Sequence, residues 1–220
     1  MSTDNAHGAH SAHVAHHFKN ATQQYLSGKE GIWLFMLTEI LMFGGIFVGY
    51  AIYHNMYPAM FAEGAASLDW KMGFINTLVL IFSSFTMAIS ISYIQRNMQK
   101  QAVIAMATTV LCGAIFMVIK YFEYQHKFHL GLLPGKFLDV AKVGAEHANL
   151  GLYFGFYYCM TGLHGIHVIL GMGLITWCLI RTMRGDFHGQ YWIVVEGVGI
   201  FWHIVDLIWI FLFPLLYLVG

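Results

Sequence analysis

Ionisable side chains lie inside segments of this chain that are apolar enough to cross a membrane. This combination restricts the possible folds more than any other feature. The residues concerned are Glu39, His164, His167, Glu196, His203 and Asp206. Because an ionised group near the bilayer centre costs about 2.5–3.5 kcal/mol, such residues normally face a protein interior or water. The sequence therefore predicts that the helix faces carrying them pack against other protein.

Composition places the chain in a bilayer and not in water. Of its 220 residues, 58% are hydrophobic and only 10% are charged, whereas soluble domains carry about 25% charged residues. Eleven basic residues balance eleven acidic ones, so net charge gives no argument for binding nucleic acid. A stretch of about 20 apolar residues crosses the hydrocarbon core as a helix. Five stretches of the sequence qualify: 31–53, 71–95, 101–124, 150–180 and 192–219.

The predicted fold class is an all-α integral membrane protein, a bundle of five transmembrane helices within one domain, 29–220. Lysine and arginine are enriched in cytoplasmic loops, and here six such residues lie on one side and four on the other. This bias predicts a cytoplasmic N-terminus and an external C-terminus. Residues 1–28 contain AHGAHSAHVAHH and no short apolar core. We expect them to form a disordered, His-rich cytoplasmic tail and not a cleavable signal peptide.

Glu39 lies near the middle of the first span. A helix rises about 1.5 Å per residue, which places Glu39 roughly 12 Å inside the membrane. Lys29, on the same helix, is ten positions away. We therefore expect a protonated carboxyl at Glu39. Two interpretations stay open: an acid that handles protons or reacts with carbodiimides, and a neutral acid hydrogen-bonded to a neighbouring helix.

The last two spans carry the other buried polar residues. His164 and His167 are three positions apart and lie on one side of the fourth span, as His203 and Asp206 do on the fifth. If the two helices pack antiparallel, these residues and Glu196 can form a structural carboxylate–imidazole network. A metal site built from His164, His167 and Glu196 is disfavoured, because Glu196 lies close to one end of its span.

Ligation of a b-type haem is the alternative interpretation of the same histidines. His164 or His167 with His203 could supply two axial ligands from neighbouring helices, and Gly162 and Gly165 would make room for the macrocycle. A proton-coupled transporter is a third possibility, although such proteins usually contain two related halves. The sequence contains no such repeat.

Two further features receive only structural interpretations. Lys120 and Glu123 are three positions apart near the end of the third span, where lysine can snorkel to the interface and pair locally. Tyr217 lies near the end of the last span, as interfacial aromatic residues do.

Four segments together resemble one known family. TGLHGIHVILG (161–171) and FWHIVDLIWIFLFPLLYL (201–218) carry the strongest likeness, with Ile204 at a position that is usually phenylalanine. WLFMLTEILMFGGIF (33–47) resembles the family's helix with one buried glutamate, and FINTLVLIFSSFTM (74–87) resembles the segment after it. The chain is similar to subunit III of the haem–copper terminal oxidases over roughly residues 30–220, most of all to the bacterial cytochrome c oxidase form.

The resemblance implies an accessory, non-catalytic subunit of a proton-pumping aa3-type cytochrome c oxidase in the bacterial plasma membrane. In that family, subunit III stabilises the catalytic subunit I, supports its proton uptake and binds phospholipid. Haems and copper belong to partner subunits, among them subunits I and II. Glu39 matches the family's carbodiimide-reactive acid. Larger members have two more spans at the start, so lipid-binding residues are not carried over. Five-span forms of subunit III also occur in quinol oxidases, so a quinol oxidase stays open as an alternative to the cytochrome c oxidase.

Overall fold

Helices account for nearly all of the chain that the structure describes. This computed structural model describes residues 21–139, 150–187 and 192–218. The helices are α1 (Ala21–Met56), α2 (Pro58–Ala66), α3 (Trp70–Gln95), α4 (Gln99–Leu130), α5 (Leu150–Met183) and α6 (Ile193–Tyr217). A short 3-10 helix, Gly135–Phe137, follows α4. No β-strand occurs within the described ranges, which confirms the predicted all-α class.

Five of these helices are long and apolar enough to span a membrane, as the sequence predicted. They are α1 from Leu26 onward, α3, α4, α5 and α6. Residues 1–20 of the predicted His-rich tail lie outside the described residues, but α1 already begins at Ala21. The first helix therefore starts inside the segment predicted as tail. The orientation of the two termini in the membrane stays a prediction.

The connection between the first two spans contains a short helix, α2. Pro58 occupies the first turn of α2, where its missing N–H and fixed φ fit a helix start. Asp69 then caps α3, its side chain accepting a hydrogen bond from the Lys71 backbone N–H at 2.9 Å. Pro58 and Asp69 thus mark the starts of α2 and α3.

Helix α4 is longer than predicted at its C-terminal end. It continues to Leu130 and stops at Gly131, which has a left-handed φ of 77° and so acts as the usual glycine cap. Its last two turns contain Lys127, which lies beyond the predicted end of the third span at residue 124. At the other end, a tight turn joins α3 to α4, and Asn97 within it adopts a positive φ of 59°.

By its internal contacts the chain divides into two compact units, 1–41 and 42–220. The described part of the first unit is the beginning of α1. Within the second unit, α3 packs on α4 and α6, while α5 packs on α4, α6 and α2. Of the five spans, α6 is the most enclosed, with 56% of its apolar window buried. Its largest fully buried side chains are Trp202 and Trp209.

Candidate functional site within the helix bundle

One carboxylate near the end of α4 is held by donors from three helices. Glu123 Oε1 accepts hydrogen bonds from Lys127 Nζ at 2.8 Å and Tyr157 OH at 2.9 Å. The Tyr217 hydroxyl donates to the same oxygen at 2.6 Å. Lys120 Nζ donates to Glu123 Oε2 at 2.8 Å. These five residues, which we call the Glu123 cluster, join α4 to α5 and α6.

The Glu123 cluster is buried and not interfacial. The exposed fractions are 3% for Glu123, 6% for Lys120 and 3% for Lys127. The predicted pairing of Lys120 with Glu123 is confirmed, but the prediction that Lys120 snorkels outward is wrong, because Glu123 and the Tyr217 hydroxyl hold it inside. Tyr217 is likewise buried. The sequence signal for the cluster was the spacing of Lys120, Glu123 and Lys127 on one helix face. It was missed because the third span was predicted to end at residue 124, before Lys127.

A second polar region joins α3 to α6 at mid-span. Trp202 Nε1 donates to Ser83 Oγ at 3.0 Å, and Trp209 Nε1 donates to Thr77 Oγ1 at 3.1 Å. Ser83 also donates to its own helix at the Leu80 carbonyl, at 2.7 Å. Both fully buried indole N–H groups of α6 are therefore satisfied by hydroxyls of α3.

His203 and Asp206 face two adjacent serines of α3, Ser84 and Ser83. Ser84 Oγ lies 2.6 Å from His203 Nδ1. Ser83 Oγ donates to Asp206 Oδ2 at 3.5 Å, the long limit of a hydrogen bond. Sequence reasoning missed Ser83 and Ser84 as partners, because they lie more than a hundred residues away along the chain.

The two histidines of α5 have different surroundings. His164 is fully buried, and its ring lies 5.2 Å from the Trp209 ring and 5.5 Å from the Phe116 ring, between centroids. Neither of its ring nitrogens forms a hydrogen bond with the described residues. His167 Nδ1 lies 2.7 Å from the Leu163 carbonyl oxygen of its own helix. Its ring packs edge-on against Phe43 at 5.5 Å.

The remaining predicted site residues are the two glutamates. Glu196 lies in the first turn of α6, where the positive end of the helix dipole favours an acid. Glu39 lies in α1 and is half-buried. The five-residue network of histidines and acids stays a prediction, and the hydrogen bonds of His203 and Asp206 described above run to α3. Within the described ranges, no three His, Cys, Asp or Glu side chains lie close enough together to hold a metal ion.

Five membrane-length helices with hydrogen-bonded polar groups between them define a multi-pass helical membrane protein. The sequence profile described as "Cytochrome c oxidase subunit III" matches residues 142–220. The chain is also 32% identical over 206 residues to "Probable cytochrome c oxidase subunit 3" of Rickettsia felis, covering 86% of this chain and 68% of that protein. The chain therefore belongs to the cytochrome c oxidase subunit III family of the haem–copper oxidases, as its motifs predicted.

Two other relatives extend this comparison. "Probable quinol oxidase subunit 3" of Staphylococcus haemolyticus is 27% identical over 192 residues, covering 87% of this chain and 89% of that protein. "Heme-copper oxidase subunit I+III" of Aeropyrum pernix is 30% identical over 197 residues, covering 87% of this chain but only 22% of that much longer protein. The family thus includes relatives named for both cytochrome c and quinol oxidases.

Proposed function

We propose that this chain is an accessory subunit of a proton-pumping cytochrome c oxidase of the aa3 type, with no redox centre of its own. In this role it stabilises the catalytic subunit and supports proton uptake during reduction of O2 to water in a bacterial plasma membrane. The observation that carries the proposal is the family match over most of the chain. The Aeropyrum relative, whose name joins subunits I and III, supports subunit I as the direct neighbour.

The expected partners follow from this role. Subunit II and small subunits complete the complex, and the haems and copper lie in the partner subunits. Phospholipid binds at the surface of the bundle. Glu39, which is half-buried in the structure, is the carbodiimide-reactive acid of the chain. His164, His167, Glu196, His203 and Asp206 serve as structural polar groups between helices.

The packing of the histidines supports a structural role over haem ligation. Aromatic rings of Phe116 and Trp209 lie against His164, so the space beside its imidazole is filled by side chains. A membrane haem b carrier would need two such imidazoles to face a macrocycle. We therefore place that alternative behind the accessory-subunit role.

A quinol oxidase is the second candidate, because the chain covers nearly the whole length of the Staphylococcus relative, 89%. The two candidates differ only in the electron donor, which other subunits bind. Oxygen consumption by the purified complex with reduced cytochrome c or with a quinol distinguishes them. Activity with quinol alone would replace the cytochrome c assignment and leave the role of this chain unchanged.

The decisive experiment is purification of the tagged chain from its native membrane in mild detergent, followed by mass spectrometry and visible spectroscopy. We expect a haem-containing catalytic subunit and a copper-binding subunit to co-purify in equal amounts. A strain lacking the chain should yield an oxidase whose activity declines faster over successive turnovers, and re-expression should restore it. A chain that purifies alone, above all with a haem spectrum, would overturn the proposal.

A further inference from the structure

His203 places a hydrogen-bonding group at the centre of the membrane, on the outer side of α6. It lies ten residues after Ile193, where α6 begins, which corresponds to roughly 15 Å of helix. The hydrocarbon core is about 30 Å thick, so this is close to the midplane. Ser84, its partner on α3, is also near the middle of its helix. Both side chains are only half-buried in the bundle.

One ring nitrogen of His203 has no partner among the described residues. The hydrogen bond that His203 makes with them is the one between Nδ1 and Ser84 Oγ, at 2.6 Å. If Ser84 donates, Nε2 carries the proton and requires an acceptor; if Ser84 accepts, Nε2 requires a donor. Either way, a polar nitrogen at this depth is costly unless a further group binds it.

Apolar side chains surround the imidazole on both helices. On α6, Leu207 is 52% exposed and Ile210 is 44% exposed, one and two turns after His203. On α3, Ile81 is 48% exposed and Phe85 is 60% exposed, on either side of Ser84. Together these residues form what we call the His203 face: Ile81, Ser84, Phe85, His203, Leu207 and Ile210. It is an apolar surface, two helices wide, with a polar group at its centre.

We infer that the His203 face binds a transmembrane helix of another oxidase subunit, which presents a carboxyl, amide or hydroxyl side chain to His203 Nε2. This inference rests on the proposed function and specifies one of its contacts. The depth of the group excludes a phospholipid head group, and an acyl chain carries no hydrogen-bonding atom. Helices associate in lipid through close packing and through polar contacts across the interface. The His203 face offers both: apolar side chains for packing and an imidazole for a hydrogen bond.

A lipid-soluble quinone also carries oxygens at this depth and is the competing occupant. Small-molecule sites are concave and enclose most of the ligand. Around His203, by contrast, Leu207, Ile210, Ile81 and Phe85 stand out from the bundle with about half of each side chain exposed. Protruding side chains of this size suit interdigitation with the ridges of another helix.

A photo-crosslinking residue at Leu207, in the complete complex within native membranes, tests the inference directly. The matched control is the same probe at Leu111, which is 59% exposed on α4. We expect mass spectrometry to find the Leu207 probe joined to a transmembrane peptide of a co-purifying oxidase subunit, at a yield above that of the Leu111 probe. Products with lipid alone, or with quinone, would overturn the inference.

Variants of His203 then test the polar contact itself. In the strain carrying the Leu207 probe, His203→Phe should lower the crosslink yield at limiting partner concentration about two- to tenfold, as loss of one hydrogen bond between transmembrane helices implies. His203→Gln should restore most of it. Ser84→Ala removes the Nδ1 contact but leaves Nε2 in place, so it should change the yield little. Equal yields in the wild-type and His203→Phe chains would contradict a bound polar group.

The failure of this inference is distinguishable from failure of the proposed function. If oxidase subunits co-purify with the wild-type chain but the Leu207 probe meets only lipid, the accessory role stands and the His203 face is lipid-exposed. If no oxidase subunit co-purifies, both the role and the face are wrong.

Discussion

Glu123 is a charged residue whose position inside the bundle depends on several partners at once. Removing charges from water costs several kcal/mol per ion, and a buried pair compensates only if further hydrogen bonds satisfy the remaining groups. Here two lysines and two tyrosines supply those bonds. The second lysine leaves an excess positive charge. Aromatic rings lie beside both ammonium groups: the Trp209 ring centroid is 4.5 Å from Lys120 Nζ, and the Tyr157 ring centroid is 4.9 Å from Lys127 Nζ. Ring faces stabilise such cations.

Glu123→Gln should therefore be strongly destabilising, because it leaves two buried lysines without their counter-charge. We expect a loss of about 3–5 kcal/mol, the usual cost of removing one partner of a buried ion pair. Thermal unfolding of the purified protein in detergent, followed by circular dichroism, measures it.

Tyr121→Phe is the matched control for Glu123→Gln, since Tyr121 lies on the same helix and is 65% exposed. The triple substitution Lys120→Met, Glu123→Leu, Lys127→Met should recover much of the stability, because apolar side chains can replace a buried ionic cluster. Unfolding temperatures that match for Glu123→Gln and Tyr121→Phe would show that the cluster contributes little.

Helix α6 is positioned by close packing along its length and by two tyrosines at its end. The Tyr50 hydroxyl donates to the Leu215 carbonyl and the Tyr153 hydroxyl to the Leu216 carbonyl, both at 2.8 Å. The last carbonyls of a helix have no partner within it, so these hydroxyls act as caps from α1 and α5. They also fix where α6 ends relative to the Glu123 cluster, which includes Tyr217.

Tyr153→Phe should lower stability by about 0.5–1.5 kcal/mol, the net contribution of one buried hydrogen bond. The ring remains and only the cap to Leu216 is lost. The measurement compares the denaturation midpoints of Tyr153→Phe and Tyr121→Phe, both purified in detergent. The first variant removes a buried hydroxyl and the second an exposed one. Equal midpoints for these two variants would mean that the cap is dispensable.

Two glycines of α5 provide a second test at the level of the helix. A Cβ on Gly171 would lie 2.7 Å from the Trp202 ring, whereas a Cβ on Gly173 would meet no described atom within 4 Å. Gly171→Ala should destabilise the protein by about 1–3 kcal/mol through overpacking. Gly173→Ala should be neutral or slightly stabilising, because alanine favours a helix. Thermal unfolding of the two variants measures the difference. Equal losses of stability in both would show that α5 and α6 are not in contact at Trp202.

The sequence predicted the spans well and the polar contacts poorly, for physical reasons. Hydropathy reports burial in lipid over about 20 residues, so α3 and α5 were located almost to the residue. Helix ends depend on capping and on tertiary contacts, which is why α2 and the last turns of α4 were missed. The partner of His203 is 119 positions away on another helix. No local pattern identifies such a pair without the packing of α3 on α6.

The molecule as a whole keeps large apolar side chains on the outside of every span. Examples are Leu34, Phe85, Leu111, Ile169 and Phe211, each more than half exposed. Such a surface suits lipid and the apolar faces of other membrane subunits alike. Several buried polar groups, in contrast, form hydrogen bonds between helices of the same chain. This division supports an accessory role in a larger membrane complex.

The same substitution at two glutamates should then have opposite results. Glu39→Gln keeps the shape of a side chain to which we assign no essential role, so we expect an assembled oxidase whose turnover changes at most modestly. Glu123→Gln removes a charge that two lysines require, so we expect little assembled subunit. Oxygen consumption per haem, together with subunit content by mass spectrometry, measures both.

Carbodiimide labelling distinguishes the two acids by a separate readout. Under the proposed function a hydrophobic carbodiimide should modify Glu39, while Glu123, ion-paired to Lys120 and Lys127 at 2.8 Å, should not react. The label on this chain should disappear in Glu39→Gln. Loss of assembly in Glu39→Gln would make that acid a structural residue, and labelling at Glu123 would mean that the ion pairs do not persist in the membrane.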